Sequence, residues 1–249
     1  ITTQFAVFSG PLGFDDVAAI PISALKGDNL LHRSLNTPWY QGPTLLSYLE
    51  TVTINQDSAT KPFRMPVQWV NRPHLDFRGF SGTIVSGTVR PGDPVVVPSS
   101  GQTSSVARIV TFGGDLEQAV AGQAVTVTLH DEIDISRGEL LSDPRLRPTT
   151  ADQFEAKLIW MHEEPLLPGR QYVIKLGLQT RNAQISALKY KVNVNTLEHL
   201  ATKTLELNDV GICNLSLDHP VSFDPYLDNR RTGSFILIDR FTNATIAAG

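Results

Sequence analysis

Phe63-Arg64-Met65-Pro66-Val67-Gln68-Trp69-Val70-Asn71-Arg72-Pro73-His74-Leu75-Asp76-Phe77-Arg78-Gly79-Phe80-Ser81-Gly82 marks the point at which the sequence changes character. Met65–Val70 is a short β-rich run. Arg72-Pro73 breaks it, because proline brings no N–H to a ladder. Phe80–Val89 then resumes the β pattern, and Pro94–Val97, Val106–Thr111 and Ala124–Leu129 continue it. Gly82, Gly87, Gly92, Gly101, Gly113 and Gly114 punctuate these runs. Short strands with a turn signal every 8–12 residues or so predict a sandwich or barrel. Arg90-Pro91-Gly92-Asp93 is a turn with a mechanism: proline presets φ at the first corner and glycine takes positive φ at the second. No helical pattern occurs between Pro62 and Asp143.

Downstream, Pro144–Thr150 reads as a short, stiff, polar linker. A second β series follows it: Phe154–Trp160, Gln171–Gln179, Ala187–Val194, Leu205–Leu217, Val221–Phe223 and Gly233–Asp239. Lys189–Asn195 alternates polar and apolar strictly, as a half-buried strand should. Upstream, residues 1–57 read as α/β material. Asp15-Asp16 precede Val17–Ile22, an apolar run expected to be a buried strand, and Ser23–Gly27 form a polar loop. Gly42-Pro43 are expected to open a helix, with Pro43 at its first position. Leu45, Leu46, Leu49 and Val52 then form one apolar stripe. A segment of that length closes no good core alone. Either it packs on the rest of the chain or it is the tail of a larger α/β domain. The expected organisation is residues 1–57, a first barrel over 58–146 and a second over 147–249.

The 249 residues carry 21 Lys+Arg and 25 Asp+Glu, a formal charge of −4, with 41% hydrophobic and 18% charged residues. This composition excludes wholesale disorder and collagen. Basic and acidic groups number 2 and 5 in residues 1–57, 8 and 9 in 58–146, and 11 and 11 in 147–249. No segment is basic enough to hold a nucleic-acid backbone by charge alone, so no nucleic-acid partner is expected. Arg230-Arg231 are adjacent and read as a solvated turn. No apolar run approaches the ~20 residues that cross a bilayer, and nothing near Ile1 reads as a signal peptide. Cys213 is the only cysteine. It allows no internal disulfide, reads as an inert core residue, and points to a reducing, cytoplasmic compartment.

Motif searches return little chemistry. Gly82-Thr83-Ile84-Val85-Ser86-Gly87 comes nearest to a phosphate loop, but Thr88-Val89 follow where lysine and a hydroxyl residue belong. There is no dinucleotide fingerprint and no nucleophile elbow. Histidines 32, 74, 130, 162, 199 and 219 are scattered without metal-ligand spacing. His162-Glu163-Glu164 and His130-Asp131-Glu132 read as exposed turns, because strand neighbours point to opposite faces. Trp39, Trp69 and Trp160 read as core or interface anchors. No catalytic residue and no metal site is expected.

Three segments carry a family resemblance. Ile20-Pro21-Ile22-Ser23-Ala24-Leu25-Lys26-Gly27-Asp28-Asn29 resembles the last guanine-recognition motif of translation-factor GTPases, and Trp39-Tyr40-Gln41-Gly42-Pro43-Thr44-Leu45-Leu46 resembles the closing helix of their G domain. The segment quoted at the outset is similar to one branch only, the large GTPase subunits of bacterial sulfate adenylyltransferase. Asp131–Gly138 and the terminal Phe235–Gly249 support the same branch. The resemblance implies a mainly β fold: two consecutive translation-factor-type β-barrels preceded by the C-terminal α/β remnant of a GTPase domain. It implies a GTPase subunit that helps a small catalytic subunit make adenylylsulfate and pyrophosphate from ATP and sulfate, within sulfate assimilation and cysteine biosynthesis. GTP and Mg²⁺ would be cofactors of the intact protein, with Ser23, Ala24 and Leu25 as a partial guanine loop. A fused adenylylsulfate kinase domain occurs in the family. The phosphate loop, the switch regions and the Asn-Lys-x-Asp motif have no counterpart in these residues, so they are expected to be inactive toward GTP alone, with no cofactor bound. The rival reading is an elongation-factor-like GTPase whose barrels hold aminoacyl-tRNA.

Overall fold

The computed structural model describes residues 1–14, 16–52, 57–74 and 76–249. Asp15 and Leu75 therefore lie outside the described residues. The chain divides into two compact units, Ile1–Gln56 and Asp57–Gly249.

The described residues of the first unit include the α-helices α1 (Thr2–Ser9) and α2 (Leu45–Thr51). Two expectations need correction here. Val17–Ile22 is not a buried strand: no strand forms there, and Val17 and Ile22 are about half exposed. A strand needs a neighbour for its N–H and C=O groups, and the described residues of this unit offer none. Proline also does not begin α2. Thr44 caps it, its Oγ1 accepting the Ser47 N–H at 3.2 Å. Pro43 stands one residue earlier, where its carbonyl accepts the Tyr40 hydroxyl at 2.9 Å. The Tyr40 ring lies over Gly42, where a Cβ would meet it at 2.3 Å.

The second unit holds two barrels. The first is built from β1 (Arg64–Pro66), β2 (Trp69–Asn71), β3 (Gly79–Thr83), β4 (Thr88–Val89), β5 (Pro94–Val96), β6 (Thr103–Thr111), β7 (Gly114–Asp115), β8 (Ala119–Val120), β9 (Ala124–Leu129) and β10 (Leu140–Ser142). Its main sheet runs β1-β10-β5-β6-β9-β3-β2. β1 and β2 are one continuous stretch of chain. Arg64–Pro66 pair with β10 on one side and Trp69–Asn71 with β3 on the other, so Arg64–Asn71 is the stave that closes the cylinder. Closure removes the exposed sheet edges. Met65, Val67, Phe80, Ile84, Ile109, Val127 and Leu141 fill the interior.

Two glycines make this closure sterically possible. A Cβ on Gly82 would lie 2.3 Å from the Pro66 carbonyl oxygen, and one on Gly87 would lie 2.5 Å from Phe63 Cα. The near-miss phosphate loop is thus a barrel segment whose glycines permit close backbone approach. The Arg90–Asp93 turn forms as expected, with the Asp93 N–H donating to the Arg90 carbonyl at 3.1 Å and Gly92 at φ +90°.

The second barrel is built from β11 (Thr149–Trp160), β12 (Gln171–Leu176), β13 (Gln179–Val192), β14 (His199–Leu200), β15 (Val210–Phe223), β16 (Phe235–Ile238) and β17 (Thr245–Ala248), with a one-turn helix α3 (Arg230–Gly233) before β16. The order β12-β16-β17-β11-β15-β13 closes through β12–β13 pairing. Leu158, Trp160, Tyr172, Ile174, Ile185, Leu215 and Leu237 pack the interior. Each such side chain contributes about 1.5–3 kcal/mol by leaving water. Trp160 also satisfies its indole N–H on the Glu164 carbonyl at 2.8 Å, whereas Trp39 and Trp69 are exposed.

Cys213 lies in this core, and burial pushes its thiol up to about 12, with the Glu155 charge adding a smaller push. The thiolate is the reactive form. The native chain is expected to resist a disulfide-exchange reagent at mildly alkaline pH and to react fully once unfolded. Rapid labelling of the folded protein would show that this core opens far more readily than its packing implies.

Candidate functional site

Two features could carry function. The first is the loop after Ile22 in the first unit. Ser23 and Asp28 form an antiparallel bridge, with the Ser23 N–H donating to the Asp28 carbonyl at 3.3 Å. The Gly27 N–H donates to the Ser23 carbonyl at 2.8 Å, and the Lys26 N–H reaches Ser23 Oγ at 3.3 Å. Among the described residues, the N–H groups of Ala24 and Leu25 find no acceptor, and Leu25 is 95% exposed. Two adjacent free amides at the tip of a short loop can bind an acceptor oxygen of a ligand.

Behind the tip, Asp28 is held in place by its neighbours. Its Oδ1 accepts from the Ser34 hydroxyl and, at 3.0 Å, from Asn36 Nδ2. These bonds favour the charged form, and the Ser34 hydroxyl, foremost, keeps the carboxyl below its usual range. Sequence reading picked out Ser23, Ala24 and Leu25. It missed the work of Asp28 and Asn29, which the same motif contains. The signal available was their type: Asn and Asp bond local backbone and tolerate tight turns.

The second feature is the seam between the two barrels. Arg64 on β1 is 3% exposed. Its Nε donates to Asp224 Oδ2 at 3.0 Å and its Nη2 to Asp224 Oδ1 at 2.9 Å, a two-pronged pair across 160 residues of sequence. The remaining donors reach the carbonyls of Phe63, at 2.9 Å, and Leu146, at 2.7 Å, the latter in the inter-barrel linker. Asp224 also accepts the Thr232 hydroxyl at 2.7 Å. Alongside, Asn229 Nδ2 donates to Ser86 Oγ at 3.0 Å, and that hydroxyl donates to the Pro62 carbonyl at 2.7 Å. Arg230 and Arg231 stay exposed on α3, with Arg230 over the Tyr226 ring. The seam is a fully satisfied polar network, which orders rather than reacts.

His130 stands exposed at a bend, whereas His162 is half-buried in the segment just after β11. His162 Nδ1 accepts the Glu164 N–H at 3.1 Å. Among the described residues, no group of three or more His, Cys, Asp or Glu side chains could hold a metal ion. No helix among them is long and apolar enough to cross a membrane.

The two barrels define a class. Residues 80–142 match the family model for elongation factor Tu domain 2, and residues 153–249 match the one described as GTP-eEF1A C-terminal domain-like. The same fold appears in the crystal structure of sup35 complexed with GDP, with a TM-score of 0.70 at 23% identity, covering 100% of this chain and 62% of that one. The two barrels are thus similar, one by one, to barrel domains of translation factors.

Whole-chain similarity narrows the class to one branch. The chain is 49% identical to sulfate adenylyltransferase subunit 1 of Aeromonas hydrophila subsp. hydrophila, covering 100% of this chain and 52% of the relative, and 52% identical to that of Shewanella woodyi, covering 100% and 53%. It is 54% identical to the bifunctional enzyme NodQ of Rhizobium sp. (strain N33), covering 100% and 38%. The chain is thus homologous over its whole length to sulfate adenylyltransferase subunit 1 and NodQ, and it spans about half or less of the length of these relatives. The elongation-factor reading is not favoured.

Proposed function

We propose that the intact protein is the GTPase subunit of a sulfate adenylyltransferase, coupling GTP hydrolysis to the formation of adenylylsulfate from ATP and sulfate on a smaller partner subunit. The observation that carries this reading is identity near one half, along all 249 residues, to relatives bearing that name. Residues 1–57 are read as the end of the GTP-binding domain, 58–146 as the first barrel domain and 147–249 as the second. Ser23, Ala24 and Leu25 form part of the guanine site, the free Ala24 and Leu25 amides being suited to the keto oxygen of guanine. GTP hydrolysis also needs a phosphate cradle and Mg²⁺. The residues of this stretch do not fit those two roles, and no step is assigned to them. The barrels transmit the nucleotide state through contacts with the partner, since a ligand couples two sites only by interacting differently with two states. A kinase domain fused to the same polypeptide and a cytoplasmic location belong to the same reading.

The test is reconstitution of the full-length gene product with its small subunit. GTP is expected to raise the yield of adenylylsulfate from ATP and sulfate; a yield indifferent to GTP would overturn the coupling. In parallel, residues 1–249 alone are expected to show no saturable binding of a fluorescent GTP analogue, and micromolar affinity would count against the division of labour.

A further inference from the structure

Among the described residues of the first unit, Asn29 is a polar side chain with no exposed surface, and it lies in the left-handed region at φ +54°. Asparagine tolerates that conformation better than most residues. Both amide hydrogens and the amide oxygen of its side chain bond to the chain around it. Nδ2 donates to the Pro21 carbonyl at 2.7 Å and to Thr37 Oγ1 at 2.8 Å, and Oδ1 accepts the Ser34 N–H at 2.9 Å. Its backbone carbonyl accepts the Leu45 N–H at 2.9 Å, the first residue of α2. One residue therefore ties together the segment entering the Ser23 loop and the 34–37 turn through its side chain, and the start of a helix through its backbone carbonyl. Pro21 stands two residues before Ser23, and the Ser23–Asp28 bridge passes the restraint on to the loop. Four bonds made by one buried residue fix a backbone position more firmly than exposed contacts do.

We infer that Asn29 is the positioning residue of the guanine loop: it touches no nucleotide, and it holds the Ala24 and Leu25 amides where they meet the base. This rests on the guanine-loop reading above. Asn29→Asp is the sharpest probe. It keeps size and shape but replaces the amide nitrogen with an oxygen, which repels the Pro21 carbonyl and sets the entry to the loop free. Asn29→Gly keeps the positive φ without strain and deletes all three side-chain bonds, so it serves where Asn29→Asp does not fold.

The experiment uses the full-length gene product and two ligands, GDP and the diphosphate of 2-aminopurine riboside. The second retains the 2-amino group and lacks the keto oxygen. The wild type is expected to prefer GDP. Asn29→Asp and Asn29→Gly are expected to lose about tenfold in GDP affinity, the worth of one well-made hydrogen bond, with affinity for the 2-aminopurine nucleotide unchanged. Equal weakening of both ligands would show a merely structural role and overturn the inference, as would a GDP preference the substitutions leave intact. A wild type that binds both ligands alike would overturn the guanine-loop reading itself, and the inference with it.

Discussion

Arg64→Met is expected to destabilise the chain by about 3–5 kcal/mol, the penalty for removing one partner of a buried ion pair. Nearly all of the loss comes from what remains. Asp224 is 9% exposed, and without the guanidinium it keeps only the Thr232 hydroxyl as a side-chain donor. The carbonyls of Phe63 and Leu146 lose their donor as well. Pairing Arg64→Met with Asp224→Leu is expected to restore most of the loss, because two well-packed apolar side chains can replace such a pair at little cost. Denaturant unfolding of the two variants and the wild type checks this. A single substitution costing under about 1 kcal/mol, the scale of an exposed pair, would mean that water reaches the seam.

Gly87→Ala is expected to cost more than about 3 kcal/mol, in the range reserved for named structural failures. Two penalties act together. Gly87 has φ +78°, a conformation that costs an L-residue roughly 1–2 kcal/mol. Its added methyl would also lie 2.5 Å from Phe63 Cα and N, backbone atoms that no rotamer change can move. Gly92→Ala is the control. It has φ +90° with nothing within 4 Å of the added carbon, so it isolates the conformational part. The denaturation midpoints are expected to fall far more for Gly87→Ala, and equal falls would sink the steric account.

The alternation of apolar and polar residues made most of the barrel strands legible, because a strand covered on one face records its burial residue by residue. The two-part reading of Leu205–Leu217 and Val221–Phe223 has a physical counterpart. Residues 205–209 lie outside any strand, and 210–217 and 221–223 are parts of one strand, β15, whose register with β11 slips between Ala151 and Gln153, where residues 217–220 stand opposite Asp152. Pro220, which cannot donate to a ladder, lies in that interruption. β10 and β17 went unread: Leu140–Ser142 and Thr245–Ala248 are too short to show a period. Val17–Ile22 failed for the opposite reason. Its apolar run is clear, but a run reports affinity for a core and not whether neighbours exist to supply one. At the site, the Ser23–Leu25 loop was visible as a motif. The Asn29 anchor was not singled out, since its partners at 21, 34 and 37 are fixed by the chain's path. Arg64 and Asp224 were beyond reach for the same reason, on a larger scale.

The stave carrying Arg64 is among the first parts of the two barrels to leave the ribosome, and 160 residues separate it from Asp224. At 5–20 residues per second that interval is roughly 8–32 s. A small barrel can form well within such a time. During vectorial synthesis the first cylinder is therefore expected to close with its outward guanidinium unmatched, and the seam becomes a late checkpoint: the nascent chain acquires the carboxylate counterpart only after most of the second cylinder has emerged.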